Sequence, residues 1–188
     1  MLDSGTGRPT MAQFVSIDRN VRVSGSAVLA IVEGMGSYKT MALRILKESG
    51  IVDPERDKWY PQQAWLDAFR RIAEQIGQET LRAIGEKIPG TALWPPTIRD
   101  IGEALASIDV AYHMNHFGGE IGHYRFERTG GRSARVVCDN PYPCAFDLGI
   151  IKATASRFAP KGVMPVVKHD AHGCRQKGGD SCTYIVSW

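Results

Sequence analysis

The chain has 188 residues, 43% of them hydrophobic, which is enough for one well-developed core. A formal net charge of +3 without a run of five Lys or Arg residues argues against a nucleic-acid partner. The longest apolar run, residues 27–32, is far too short to span a membrane, and the first ten residues lack the apolar core of a secretory signal. We therefore expect a cytoplasmic protein without a membrane partner, in which the cysteines are reduced or metal-bound.

Two methionines, Met1 and Met11, lie in the first stretch of the chain, which shows no apolar periodicity. We expect residues 1–12 to form a disordered leader, with either methionine as the true start. Residues 13–188 contain no internal repeat and no low-complexity segment. We expect these residues to form a single domain.

Short elements are predicted first. Alternating apolar residues between positions 14 and 23, interrupted by a polar stretch at 18–20, predict a short hairpin. The segment Ser24-Gly-Ser26 is a candidate cap for a helix that starts at Ala27 and is broken by Gly34 and Gly36. A second helix is predicted from Tyr38 to residue 48, with Gly50 beyond its end.

Two longer helices follow. An apolar stripe from Ala64 to Ile76 predicts an amphipathic helix with Pro61 at its first position, and the pattern continues past Gly77 to residue 87. A second apolar seam runs from residue 98 to 112 and predicts a helix with Thr97 as its cap.

The second half of the chain is predicted to be rich in strands. Residues 121–128 and 132–139 flank Thr129-Gly130-Gly131, which is typical of a β-hairpin. A helix over residues 144–158 and a strand pair over 163–170 and 183–188 complete the chain. Consecutive strands joined by tight turns pair antiparallel, so we expect an α+β fold in which an antiparallel sheet of two C-terminal hairpins packs against several helices.

Cysteines are concentrated near the C-terminus. Cys174 and Cys182 lie at the two ends of a loop that contains Gly178 and Gly179, between two predicted strands. Structural zinc takes thiolate and imidazole ligands in a closed tetrahedron. Cys144 is a suitable third ligand, because the N-terminus of a helix favours a thiolate. The sequence therefore predicts a structural zinc site at Cys144, Cys174 and Cys182.

The fourth zinc ligand is open at this point, since Asp170, His172 and His169 all precede Cys174 closely. Two other interpretations also stay open. The cysteines could be small buried thiols, or Cys174 and Cys182 could form a disulfide. The seven residues between these two cysteines exceed the usual spacing of zinc fingers.

The C-terminal part of the chain contains, in order, Asn140-Pro-Tyr-Pro-Cys144, a helix, a short hairpin and then Cys174-x7-Cys182. In the order of these features it resembles the 4-vinyl-reductase domain family. That family is similar in fold to haem-based nitric-oxide sensors (H-NOX) and to a subunit class of the Golgi-transport tethering complex. It also resembles the sensory module of bacterial phenol-responsive transcription activators. The resemblance covers residues 59–188 and is specific over 140–188. It implies one ligand-binding domain over residues 13–188, with the fold shared by H-NOX and 4-vinyl-reductase domains and with zinc beside a pocket for an aromatic effector.

One ligand of the resembling family is missing here. The resemblance implies a glutamate three residues before the first cysteine of the pair, where this chain has Ala171. If the loop shifts by one residue, Asp170 or His172 can take its place. The predicted metal ligands are therefore Cys144, Cys174 and Cys182 with Asp170 or His172.

A candidate ligand pocket is predicted where aromatic residues surround the interface of helices and sheet. Trp94, Tyr112 and His113 would supply apolar walls with a few polar groups. His113, His116 and His123 lie near the end of the seam helix, where local hydrogen bonding competes with metal or haem ligation as their role. The axial histidine of the haem sensors has no evident counterpart.

Catalytic and cofactor motifs are missing, including those for nicotinamide and flavin, so the sequence favours a protein that is not an enzyme. We expect a sensory or carrier domain for a small apolar or aromatic molecule, with structural zinc, that signals through a partner or a homodimer. One alternative is a protein that binds haem or another tetrapyrrole, or an accessory enzyme of tetrapyrrole metabolism. Another is a scaffold subunit that assembles through its helices.

Overall fold

The structure is a computed structural model that describes residues 13–170 and 172–188. The predicted leader, residues 1–12, and Ala171 lie outside the described residues. The helices are α1 (Gly25–Val28), α2 (Ala30–Gly34), α3 (Lys39–Glu48), α4 (Gln62–Gln75), α5 (Gln78–Gly85), α6 (Ile88–Thr91), α7 (Ile101–Met114) and α8 (Cys144–Arg157). The strands are β1 (Arg22–Ser24), β2 (Trp59–Pro61), β3 (His116–Phe117), β4 (His123–Gly130), β5 (Ser133–Asp139), β6 (Val166–Asp170) and β7 (Cys182–Ser187).

The larger sheet confirms the predicted α+β class. Its strand order is β4-β5-β7-β6, and every neighbouring pair is antiparallel. Alternate residues of its central strands are buried, which is the period expected when one face of a sheet packs on a core. These buried residues join the same hydrophobic cluster as the apolar faces of α4, α5, α7 and α8; they are Ala134, Val136, Cys138, Cys182, Tyr184 and Val186.

A second, smaller sheet has the order β2-β1-β3. The predicted hairpin over residues 14–23 is wrong, because β1 pairs with strands far along the chain and not with the residues just before it. Arg22 lies opposite both Pro61 and Phe117. Alternating apolar residues indicate an extended strand, but this pattern does not specify which other strand it pairs with.

Helix ends follow local chemistry. Within the predicted capping segment it is Ser24 that caps α1, since its hydroxyl accepts a hydrogen bond from the N–H of Ala27 at 3.2 Å. The helix begins at Gly25, two residues before the predicted start. The predicted cap at Thr97 is wrong: Asp100 caps α7 by accepting from the N–H of Glu103 at 2.8 Å. The predicted continuous helix past Gly77 is also wrong, because Gly77 has φ of 122° and separates α4 from α5.

Helices α5 and α8 cross at two glycines. A Cβ atom on Gly85 would lie 2.2 Å from the carbonyl oxygen of Phe146, and one on Gly149 would lie 2.1 Å from that of Arg82. Any larger residue at either position would therefore separate the two backbones. This contact fixes α8, whose first residue is Cys144, against α5.

None of the helices within the described ranges has the length and hydropathy required to traverse a bilayer.

Candidate metal centre and apolar cavity

The three predicted cysteine ligands meet in space. Cys144 begins α8, Cys174 precedes a short turn of 3-10 helix, and Cys182 begins β7. The Sγ atom of Cys144 lies 3.3 Å from that of Cys174 and 2.9 Å from that of Cys182, and the last two are 3.6 Å apart. All three are buried free thiols, and no disulfide joins Cys174 to Cys182.

His169 lies beside these sulfurs. One ring nitrogen of His169 and the sulfurs of Cys144, Cys174 and Cys182 all lie within 4.8 Å of one another. The ring of His169 stacks on Tyr184, its cross-strand partner, with centroids 4.7 Å apart. Its buried Nε2 has no hydrogen-bond partner among the described residues. A buried polar atom without a partner is costly, and a bound ion would satisfy it.

The two other predicted ligands lie elsewhere. Asp170 and His172 hydrogen-bond to each other, with 2.9 Å between Oδ1 and the imidazole Nδ1, and the side chain of His172 is 99% exposed. Hydrogen bonds from the N–H and ring of His172 lower the pKa of Asp170. The geometry therefore brings together the three predicted cysteines and His169, one of the three residues left open as the fourth ligand. Asp170 and His172, the two favoured by the resemblance, form a separate surface pair.

The electrostatics of the centre suit a cation. A hydrogen bond from Cys144, reinforced by Arg175, lowers the pKa of Cys182 to about 4. The same contact with Cys182 raises the pKa of Cys144. One thiolate is thus already stabilised, and a divalent metal would release the remaining thiol protons. Three thiolates and one imidazole are a donor set that structural zinc prefers, at about 2.3 Å for sulfur and about 2.0 Å for nitrogen.

Cys138 shows the contrast with an isolated buried thiol. It lies on β5 directly opposite Cys182 and is fully buried, but it is not a member of the cluster. Burial raises the pKa of its thiol well above the usual value. A neutral thiol in apolar surroundings behaves as a small hydrophobic residue, not as a metal ligand.

An apolar cavity of about 40 Å³ lies among the helices α1, α4, α6, α7 and α8, with Tyr124 as its lining residue from the larger sheet. Two of the predicted ligand-binding residues, Trp94 and Tyr112, line it, and the structure places the third, His113, on the surface with a 43% exposed side chain. The remaining walls come from several elements: Ala27, Trp65, Ile88, Ala92, Ile108, Ala111, Asn115, His116, Tyr124, Tyr142, Phe146 and Ile150.

His116 is the cavity histidine, one helical turn after Tyr112. Its Nδ1 lies 2.8 Å from the carbonyl oxygen of Tyr112 and its Nε2 lies 2.6 Å from the hydroxyl of Tyr142. Because a carbonyl only accepts, Nδ1 carries the proton and Nε2 accepts from Tyr142. Burial lowers the pKa of His116 to about 4, so the imidazole is neutral. The i, i+4 spacing from Tyr112 was a signal in the sequence that could have identified His116.

Two indole groups in the cavity wall have no acceptor. The Nε1–H groups of Trp65 and Trp94 are buried, and neither has a hydrogen-bond partner in the described part of the chain. Indole N–H groups usually find a partner when buried. The cavity surface is therefore apolar, and two of the residues that line it carry an N–H group that no described residue accepts.

A polar network joins the cavity wall to the sulfurs. The hydroxyl of Tyr124, a cavity residue, donates to Asp147 at 2.6 Å, and Asp147 forms an ion pair with Arg175. Burial raises the pKa of Asp147 to about 6, against the attraction of the guanidinium. Arg175 also donates to Asn140 at 2.9 Å and lies 3.5 Å from the sulfur of Cys182. A continuous chain of contacts therefore runs from the cavity to the candidate metal centre.

The fold is that of H-NOX domains. A triple mutant of an H-NOX protein from S. oneidensis, solved in its Fe(II) ligation state, superposes with a TM-score of 0.63 at 13% identity, over 87% of this chain and 95% of that chain. A point mutant of H-NOX from T. tengcongensis gives 0.61 at 13% identity, over 87% and 96%. A point mutant of Fe(II) unliganded H-NOX from K. algicida gives 0.59 at 14% identity, over 87% and 95%. No protein-family model and no curated protein matches the chain, so membership of the 4-vinyl-reductase family stays a prediction.

A haem does not fit the apolar cavity with the side chains placed as they are. Pockets for drug-sized ligands measure about 300 Å³ or more, whereas this cavity measures about 40 Å³. Among the described residues, the only histidine in its wall is His116, whose two ring nitrogens are already hydrogen-bonded.

Proposed function

We propose that this chain is a sensory or carrier domain for a small apolar molecule, in which Cys144, Cys174, Cys182 and His169 hold a structural zinc ion. The observation that carries the proposal is the apolar cavity, together with two of its lining residues, Trp65 and Trp94, whose indole N–H groups have no partner among the described residues. Such donors favour a ligand with an acceptor oxygen on an apolar body, as in a phenol. The cavity accepts a few heavy atoms as it stands and would widen to take one ring.

Zinc in this proposal is a clamp and not a catalyst. It would fasten β6, β7 and the loop between them to the first turn of α8, because His169, Cys182, Cys174 and Cys144 come from those four places. Binding energy of a structural zinc is available to folding, so the metal-free protein should be much less stable. A signal would pass to a partner protein or across a homodimer. For this, the ligand must bind one conformation of the domain more tightly than another, because only such a difference in affinity shifts the conformational equilibrium.

The metal is tested by elemental analysis of the purified protein. About one zinc per chain is expected, and the triple variant Cys144→Ser, Cys174→Ser, Cys182→Ser should lose both the zinc and much of the stability. The matched control is Cys138→Ser, which removes a buried thiol outside the cluster and should retain the zinc. Zinc-free protein that keeps its full stability would refute the clamp.

The ligand is tested by comparing phenol with benzene in thermal unfolding. Phenol should raise the Tm more than benzene does and should change the tryptophan emission, because two indoles line the cavity. If neither compound shifts the Tm or the emission, the sensory proposal fails while the zinc proposal is untouched.

Haem binding is the second candidate, favoured by the fold shared with Fe(II) H-NOX proteins and by the neutral imidazole of His116 in the cavity wall. It would require the hydroxyl of Tyr142 to release Nε2 of His116 and the cavity to widen. A Soret band after reconstitution with hemin, lost in His116→Gln, would favour this candidate. Reconstituted protein without such a band would exclude it.

A further inference from the structure

Two imidazoles and a carboxylate meet on the surface, outside both the candidate zinc centre and the cavity wall. The ligand atoms of Asp109, His113 and His123 all lie within 4.8 Å of one another. Nδ1 of His123 lies 3.4 Å from the carboxylate of Asp109, and Nδ1 of His113 lies 3.7 Å from it. The three side chains are between 31% and 43% exposed, so an ion in solution can reach them.

The backbone fixes this group from two elements. Asp109 and His113 are one turn apart on α7, and His123 is the first residue of β4. One oxygen of the Asp109 carboxylate accepts the N–H of Tyr124 at 2.8 Å, which ties the carboxylate to the start of β4. The carboxylate is therefore oriented by the fold and does not swing freely.

The tautomer of His113 also suits a metal ligand. Its Nδ1 lies 2.8 Å from the carbonyl oxygen of Asp109, and a carbonyl can only accept, so Nδ1 carries the proton. The lone pair is then on Nε2. Histidine ligands in metal sites commonly donate their second ring N–H to a carbonyl or carboxylate in this way. The ring centroids of His113 and His123 lie 5.2 Å apart with an interplanar angle of 32°, so the two imidazoles are near enough to each other to share one ion.

We propose that Asp109, His113 and His123 bind a divalent transition-metal ion, with Zn²⁺ as the probe ion, at a site separate from the cysteine centre. Two imidazoles and one carboxylate are the donor types of zinc sites with an open position, which water would fill. Mg²⁺ and Ca²⁺ prefer all-oxygen sites and should bind far more weakly. Bound metal would join the C-terminal end of α7 to His123, the first residue of β4. The second residue of β4, Tyr124, lines the cavity.

The test is titration of Zn²⁺ into protein that already holds its first equivalent of metal, followed by calorimetry and by the imidazole signals in NMR spectra. A second equivalent should bind, shifting the resonances of His113 and His123. His113→Gln and His123→Gln should each weaken this second site by at least about tenfold. These side chains are partly exposed, so the variants should fold, which circular dichroism checks.

The matched control is His172→Gln, which removes an imidazole that also faces a carboxylate but, among the described residues, belongs to no cluster of metal-ligating side chains. It should leave the second affinity within about twofold of the parent protein, well below the tenfold loss expected for a ligand. Absence of a second equivalent would overturn the proposal. Equal affinities in all three variants would overturn it too, because binding would then be non-specific.

Discussion

Arg175 and Asp147 form an ion pair in which neither side chain has any exposed surface. Arg175 belongs to the loop between the two C-terminal cysteines, whereas Asp147 lies in the first turn of α8. Tyr124 and Asn140 provide further hydrogen bonds, so the buried charges are almost fully satisfied. A pair of this kind contributes less net stability than its geometry suggests, but removing one partner leaves the other charge buried alone.

Replacing the arginine should be severely destabilising. Arg175→Met leaves the carboxylate of Asp147 without its cation, and we expect a loss of about 3–5 kcal/mol in the free energy of unfolding, measured by urea titration with zinc present. Adding Asp147→Asn should restore at least about 1 kcal/mol, because no unpaired charge then remains.

The control for the arginine variant is Arg135→Met, which breaks an exposed ion pair with Glu127 on the larger sheet. Solvent screens that pair, so the loss should stay below about 1 kcal/mol. Equal losses in the buried and exposed variants would contradict the role assigned to burial.

The choice of the fourth zinc ligand can be measured directly. His169→Asn should weaken zinc binding by at least tenfold, about 1.4 kcal/mol, in competition with a chromophoric chelator. Asp170→Asn and His172→Asn should leave the affinity nearly unchanged, because those side chains hydrogen-bond to each other at the surface. A larger loss of zinc affinity in either of the last two variants would identify the residue replaced there, Asp170 or His172, as the fourth ligand instead.

Removing an unused donor separates ligand binding from stability. Trp94→Phe deletes a buried N–H that has no partner among the described residues, so the ligand-free protein should keep its stability to within about 1 kcal/mol. Affinity for phenol should fall by several-fold, since a hydrogen bond contributes about 1 kcal/mol. Affinity for benzene should not change. An equal loss of affinity for phenol and benzene would show that Trp94 contributes to binding through the packing of its indole ring and not through its N–H group.

Acid should weaken the fold through His116. Its pKa is about 4 in the folded protein, below the ordinary value of 6.5, so the unfolded chain binds the proton more tightly. The contribution to stability is complete above about pH 6.5 and is lost as the pH falls towards 4, by roughly 3 kcal/mol in total. His116→Gln should flatten the pH profile of unfolding in this window. An unchanged slope would contradict the assignment.

Local patterns predicted the two strand pairs of the larger sheet, β4 with β5 and β6 with β7, and the helix α8 between them, because each depends on residues close together in the chain. The pairing of β5 with β7, which joins the two pairs into one sheet, is long-range. The turn at Gly130 determines which strands of the hairpin meet, and Cys144 lies at a helix start set by the prolines before it. The smaller sheet could not be predicted in this way. Its strands have two or three residues each and come from distant parts of the chain, so only the packed core selects their pairing.

The same distinction explains the two sites. Cysteine chemistry sufficed to group Cys144, Cys174 and Cys182, but the place of His169 depends on its register opposite Tyr184, which no local pattern specifies. His113 and His116 differ by three positions on or next to one helix. That difference turns one towards solvent and the other into the cavity, and only the observed orientation of α7 decides between them.

The glycine contact between α5 and α8 has a mechanical consequence. Because the two backbones already touch at Gly85 and Gly149, α8 has no room to move towards α5. Phe146 and Ile150, which stand on either side of Gly149, belong to the cavity wall. A ligand that widened the cavity would push on Phe146 and Ile150, and α8 could then yield only in directions other than towards α5, by sliding along this contact or by tilting on it. Either movement would displace the N-terminal end of α8, which carries Cys144.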